Sequence, residues 1–143
     1  MIEHKKVEEN RVEFKQVDRA DLKDRIFHWP DIQEFRDEEA TKKVFYETPN
    51  TVGAVWCMNP GQSLPIHSHE VADDIWIVIE GTADYYPECG QMVPIKAGDI
   101  IVARAGEKHG MTNNSNKKFM MLGIAGPTPI GFIPADHKDA LKK

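Results

Sequence analysis

The sequence predicts an all-β domain of the jelly-roll type that follows a charged N-terminal arm. From Lys43 onward, short segments rich in Val, Ile, Phe, Tyr and Trp alternate with Pro, Gly and Asn, which is the pattern of short strands joined by turns. Eight or nine such segments suit a closed sandwich or barrel, in which paired sheets hide most strand edges. The chain has 143 residues, of which 41% are hydrophobic, so it can build one core and is too short for two ordinary domains.

The arm differs from the rest of the chain because it carries many charges and little periodicity. Within it, "RADLKDRIFHWPD" predicts a short helix that Pro30 follows, and "DIQEFRDEEATKK" is a second charged segment. We therefore divide the chain into an N-terminal arm (1–42), a barrel (43–125) and a C-terminal tail (126–143).

The barrel sequence divides into short predicted strands. These are 43–47, 52–58, 63–69, 74–80, 83–86, 91–95, 99–103, 108–112 and 118–125. Trp56 and Met58 alternate with Val55 and Cys57, so both faces of that strand are apolar. One face is expected to fill the barrel and the other to meet the arm, the tail or a second subunit. The tail contains three prolines and is expected to be a covering strap or a free end.

The composition and charge of the chain limit the classes of protein to which it can belong. No run of residues is long and apolar enough to span a membrane, and the first sixteen residues are charged throughout, which predicts a soluble, cytoplasmic protein with no membrane partner. A net charge of −5 with scattered lysines argues against a nucleic-acid surface and favours small-molecule or protein partners. Cys57 and Cys89 fit no metal-binding spacing and are interpreted as reduced, packed side chains.

The segment "PIHSHEVADDIW" contains the first candidate metal ligands. Along a strand, alternate side chains share a face, so His67 and His69 point the same way and Ser68 points away. Two imidazoles held that close suit a shared cation. His109 follows a Gly-containing turn, and Asp74 opens the next strand, so a barrel could bring all four to one interior point. Three neutral imidazoles and a carboxylate suit a first-row divalent metal with positions left open for water or substrate.

These residues resemble the two sequence motifs of the cupin superfamily. The first motif is matched by Gly61, His67, Ser68, His69, Asp74 and Gly81 at the expected spacing. The second is matched by Gly98, Ala105, Gly106, His109 and Asn113. Sixteen residues separate Gly81 from Gly98. The resemblance covers roughly residues 50–125 and leaves the arm outside it.

The resemblance implies a double-stranded β-helix with a metal near one mouth, held by His67, His69, Asp74 and His109. The metal would be a divalent transition ion, with Fe, Zn, Ni and Mn all open. Cupins usually have glutamate where this chain has Asp74, so the shorter acid could bind directly or through water and leave a three-histidine site. Metal-free cupins also exist, so an empty pocket is the competing interpretation.

Other residues near the motifs have two interpretations each. Trp76 and Val78 share a face with Asp74 and would line the pocket or fill the core. Arg104, where cupins usually have proline, would face solvent or clamp an anion. Tyr85 or Tyr86 could face the pocket as a proton donor, although structural roles are favoured for both. The remaining histidines, which are expected at the surface, are His4, His28 and His137.

The sequence favours a metal-dependent enzyme that acts on a small polar or acidic molecule. It does not choose among dioxygenase, isomerase, cyclase and lyase chemistry. The alternative is a non-catalytic cupin that binds a small molecule or sugar, and a structural barrel with a vestigial site is the third possibility. By analogy with other small cupins, we expect a homodimer.

Overall fold

The computed structural model describes residues 12–135, which fold into two five-stranded antiparallel sheets. The ten strands are β1 Thr41–Glu47, β2 Val52–Met58, β3 Ser63–Ser68, β4 Asp73–Glu80, β5 Thr82–Tyr86, β6 Val93–Lys96, β7 Ile100–Ala103, β8 His109–Thr112, β9 Phe119–Gly126 and β10 Ile133–Pro134. The first sheet has the order β1-β2-β9-β4-β7, and the second has the order β10-β3-β8-β5-β6. The predicted all-β jelly-roll class is confirmed.

The core lies between the two sheets because alternate residues of each strand point inward. Its members, all exposed by 8% or less, are Met58, Leu64, Trp76, Val78, Ala83, Tyr85, Ile95, Met111, Phe119 and Met121. Trp76 pairs with Gly123 across β4 and β9. A Cβ atom at position 123 would lie 3.1 Å from Cδ1 of Trp76, so glycine gives the indole ring its room. The largest core side chain therefore depends on the smallest residue beside it.

The arm covers part of the outer face of the first sheet. Trp29, Ile32 and Phe35 pack on the outward side chains of Val55 and Cys57. The apolar second face of β2 is thus buried by the arm, one of the three coverings that the sequence left open. Burying this surface stabilises the sheet by about 25 cal/mol for each Å² of apolar area removed from water.

The helix predicted in the arm is wrong in length and kind. The structure has two single turns of 3₁₀ helix, Arg19–Leu22 and Trp29–Asp31, and Pro30 lies inside the second turn. Asp18 caps the first turn by accepting a hydrogen bond from the backbone N–H of Ala20 at 2.9 Å. A turn this short has too few hydrogen bonds to offset helix nucleation. The second turn is also held by the packing of Trp29 on the sheet. Neither helical turn in residues 12–135 could cross a membrane.

Residues 126–135, which we call the strap, return to the edge of the second sheet. Ile133 and Pro134 form β10 by pairing with Ser68 and His67 of β3. The N–H of Ala135 donates to the carbonyl of Ile66 at 3.0 Å, just past the paired residues. The strap therefore runs alongside the strand that carries the first candidate histidine, as the edge strand of the second sheet.

Several strand boundaries differ from the predictions by one or two residues. β1 begins at Thr41, two residues before the predicted start, and β6 is Val93–Lys96 where 91–95 was predicted. The hydroxyl of Thr41 donates to the backbone carbonyl of Glu34, which anchors the start of β1 to the arm. That contact joins residues seven apart in sequence, so the strand propensity of the local sequence does not predict the earlier start of β1.

We predict that Trp29→Ala lowers the free energy of unfolding by about 2 kcal/mol, because it removes a half-buried indole from the arm–sheet contact. Urea unfolding followed by far-UV circular dichroism measures the change. Phe14→Ala is the control, since Phe14 is an aromatic residue of the same arm that is 80% exposed. Equal effects of the two substitutions would contradict the proposed packing role of Trp29.

Candidate metal centre

The four candidate ligands converge between the two sheets. His67 lies on β3, and His69 is the first residue after that strand. His109 lies on β8 and Asp74 lies on β4. One potential ligand atom from each residue lies within 4.8 Å of the others. All four are buried, with 1–7% of their surface exposed. The barrel thus brings together the four residues that the sequence selected.

Local backbone geometry orients each imidazole. The Nδ1 atom of His67 lies 2.8 Å from the carbonyl of Pro65, and that of His109 lies 3.0 Å from the carbonyl of Glu107. The Nδ1 atom of His69 lies 2.7 Å from the carbonyl of Gly131 in the strap. A carbonyl can only accept a hydrogen bond, so each neutral ring carries its proton on Nδ1. This leaves every Nε2 atom with a free lone pair.

Two of these Nε2 atoms face a carboxylate. Nε2 of His69 and Nε2 of His109 each lie 3.3 Å from Oδ2 of Asp74. Both nitrogens are fully buried and make no hydrogen bond with the described residues. Burial lowers the pKa of His67 to about 4, so this ring is neutral near pH 7. Electron pairs placed this close repel one another unless a cation lies among them, and three nitrogens with one carboxylate oxygen fit a divalent transition metal.

A cavity of about 220 Å³ opens onto the cluster. Its apolar wall is formed by Val52, Ala54, Trp56, Ala125, Ile130 and Phe132. Lys42 also lines it and places a primary ammonium group in contact with the ring of Trp56, 5.5 Å from the ring centroid. A small molecule could therefore reach the cluster along a largely apolar path.

Trp76 and Val78, which were expected to line the pocket or fill the core, lie in the core. They are 1% and 2% exposed, and the cavity lining in the described part of the chain does not include them. The Trp76 ring packs edge-on against His109, with ring centroids 5.0 Å apart. Both side chains therefore point inward, as strand alternation predicts, and take the core position of the two that the sequence left open.

The residues with two interpretations take structural positions. Arg104 pairs with Glu107, with Nε 3.2 Å from Oε1, and its side chain is 78% exposed. Hydrogen bonds from Arg104 lower the pKa of the Glu107 carboxyl group. Tyr85 lies in the core, where burial raises its pKa, and Tyr86 donates its hydroxyl hydrogen to Oγ1 of Thr112 at 2.7 Å.

The histidines predicted at the surface lie away from the cluster or outside the described residues. His28 is exposed and precedes the second 3₁₀ turn. His4 and His137 fall outside residues 12–135.

Sequence reasoning missed three contributors to the site. The carbonyl of Gly131 orients His69, the ring of Phe132 stacks on His67 with centroids 4.5 Å apart and planes at 17°, and Lys42 lines the cavity. Two of the three belong to the strap, whose pairing with β3 places them beside the histidines. The only sequence signal was a proline-rich tail that was expected to be a covering strap or a free end.

Comparison with known proteins identifies the family. Residues 54–125, half of the chain, match the family model described as the cupin domain. This chain belongs to the cupin family. A solved structure from Klebsiella pneumoniae, described as an uncharacterized conserved protein with a double-stranded β-helix domain, is 34% identical to this cupin. The match covers 78% of this chain and 97% of that chain, with a TM-score of 0.75.

Two relatives from Thermotoga maritima carry names that refer to oxalate. An oxalate-binding protein is 34% identical over 65 residues, which is 46% of this cupin and 53% of that protein. The chain therefore spans about half the length of the curated relative it matches. A crystal structure of a predicted oxalate decarboxylase is 28% identical, with a TM-score of 0.50 and coverage of 61% of this chain and 69% of that chain.

The position of Asp74 compensates for its side chain, which is shorter than the glutamate that cupins usually have there. Oδ2 of Asp74 is 3.3 Å from both buried Nε2 atoms, so the shorter side chain reaches the centre of the cluster. The neighbouring Asp73 accepts a hydrogen bond from the N–H of Ala105 at 2.9 Å and lies on the opposite face of β4. Strand alternation thus separates a candidate ligand from an acid that holds the loop before His109.

Proposed function

We propose that this cupin binds one divalent transition metal through Nε2 of His67, His69 and His109 and the carboxylate of Asp74. The observation that carries the proposal is the pair of buried, unpartnered Nε2 atoms that face Oδ2 of Asp74. Iron, zinc, nickel and manganese all accept this mixture of nitrogen and oxygen ligands. Such an ion would act as a Lewis acid toward a bound oxygen atom.

We further propose that the small molecule bound beside the metal is a carboxylate. Two relatives bear names that refer to oxalate, and the cavity leads directly to the histidines. A divalent ion with one aspartate ligand leaves a net positive centre. An anion gains from this charge inside a largely apolar cavity, where charges are screened less than in water.

Lyase chemistry on that acid is the candidate reaction, supported by the relative described as a predicted oxalate decarboxylase. The chain's own side chains would exclude bulk water through Ile130 and Phe132 and hold the acid against the β2 wall. Apart from the proposed ligands, Lys42 is the ionisable side chain among the described residues that line the cavity. The second candidate is binding without turnover, which the name of the oxalate-binding relative supports.

We predict that purified protein carries about one transition metal ion per chain and that His67→Ala combined with His109→Ala removes it. Elemental analysis of the dialysed proteins measures the metal, and far-UV circular dichroism checks that the variant keeps its β-rich fold. His28→Ala is the matched control, because His28 is exposed and outside the cluster. Metal content that persists in the double variant would contradict the proposed centre.

We predict that oxalate binds the metal-loaded protein and does not bind after chelation. Isothermal titration calorimetry of the two forms measures binding, and assays for formate and carbon dioxide measure decarboxylation. Products would support the lyase, and binding without products would support the binding protein. Failure of oxalate to bind the metal-loaded form would contradict the proposed ligand class.

We also propose that this cupin is a cytoplasmic homodimer. Ile75, Ile100 and Val102 are 38–66% exposed on the outer face of β4 and β7, beyond the area that the arm covers, and Ile75 pairs with Val102 in register. A second copy could bury this apolar strip.

For the dimer, multi-angle light scattering should give twice the mass of one chain, and Val102→Lys should reduce it to the mass of one chain. Val71→Lys is the control, because Val71 is 61% exposed outside the strip. Wild-type protein with the mass of a single chain would contradict the dimer.

A further inference from the structure

We propose that Lys42 forms a second anion-binding subsite and that the ligand is a dicarboxylate with an apolar spacer, longer than oxalate. This inference rests on the proposed function, because one carboxylate is assigned to the metal centre. The inference specifies the rest of the ligand, an apolar spacer with a second carboxylate, and names Lys42 as the residue that binds this second carboxylate.

Lys42 is directed toward the cavity by the alternation of β1. It pairs with Trp56 of β2, whose side chain also lines the cavity, and its Nζ atom lies 5.5 Å from the centroid of the Trp56 ring. Lys43 pairs with Val55, which belongs to the outer face under the arm. The side chains of Lys42 and Lys43 therefore lie on opposite faces of β1, and only Lys42 can contact a ligand in the cavity.

The ammonium group of Lys42 has no acidic partner within residues 12–135. Its recorded contact is with the face of the Trp56 ring, and no described carboxylate lies within 4.0 Å of it. A cation held over an aromatic ring keeps its capacity to donate hydrogen bonds away from the ring. Lys42 can therefore pair with an incoming anion without breaking an existing ion pair.

Sheet register places Lys42 far from the metal centre. Asp74 pairs with Ala125, and Ala125 pairs with Val52, whereas Lys42 pairs with Trp56, four residues further along β2. Three strand spacings of about 4.8 Å and four residue rises of about 3.3 Å separate the two Cα atoms by roughly 19 Å along the sheet. Curvature of the barrel and the long lysine side chain shorten the distance that a ligand must span, and Nζ lies over the Trp56 ring.

The surface between the two charged ends is apolar. Val52, Ala54 and Trp56 form one wall along β2, and Ile130 and Phe132 of the strap lie across from it. In oxalate the two carboxylates are on adjacent carbons, so it cannot contact both ends. A diacid with several methylene groups can place one carboxylate at the metal, the other at Lys42 and its chain against the β2 wall.

The test compares diacids of increasing length on metal-loaded protein. Isothermal titration calorimetry is performed with oxalate, succinate, adipate and suberate, and with octanoate, which has the length of suberate but lacks the second carboxylate. The variants are Lys42→Met, which keeps the length and apolar stem of the side chain, and Lys43→Met, the matched control on the outer face. Metal content and thermal midpoint are measured for each variant and should be unchanged.

We expect Lys42→Met to weaken suberate binding about fivefold and to leave oxalate and octanoate unchanged, since one partly exposed charge pair is lost. Lys43→Met should change none of the affinities. Oxalate binding with no effect of Lys42→Met on any longer diacid would overturn the inference and leave the proposed function standing, as would equal effects of the two variants. Failure of every acid to bind metal-loaded protein would contradict the proposed function and this inference together.

Discussion

Three hydrogen bonds from imidazole Nδ1 atoms to backbone carbonyls are the constraint on which the site depends. They fix the same tautomer in His67, His69 and His109 and turn three Nε2 lone pairs toward one point. Without them each ring could rotate or protonate the other nitrogen, and the cluster would lose its electron-pair donors. The carboxylate of Asp74 then makes that point unfavourable for anything except a cation.

The barrel supplies this constraint by combining elements that are distant in sequence. The histidines come from β3 and β8 of one sheet, and Asp74 comes from β4 of the other, so the cluster exists only when the two sheets face each other. The strap completes it, because pairing of β10 with β3 holds the carbonyl of Gly131 against His69. The strand pairing that closes the barrel therefore also orients the ligands.

Much of the site could be predicted because strand alternation is a local rule. A spacing of two positions between His67 and His69 is enough to put both rings on one face, and the same alternation puts Asp74, but not Asp73, on the inner face of its strand. Trp76 shows the limit of that rule, since it fixes the inward direction but not whether a side chain meets the core or the cavity.

The contributions of Gly131, Phe132 and Lys42 could not be predicted because they arise from long-range pairing. The strap reaches β3 across more than sixty residues of sequence, as the 62-residue separation between His69 and Gly131 shows. The arm poses the same difficulty, since its second short turn packs on the outer face of a sheet formed by residues later in the chain. Local propensity carries no information about either contact.

X-ray absorption spectroscopy at the edge of the bound metal tests the account most directly, because it counts the imidazole ligands of the ion in solution. The account predicts three imidazole nitrogens at about 2.0–2.2 Å, with the remaining positions filled by oxygen, and weaker imidazole scattering when His69 is replaced. A spectrum with oxygen or sulfur ligands and no imidazole, or one unchanged by His69→Ala, would contradict it.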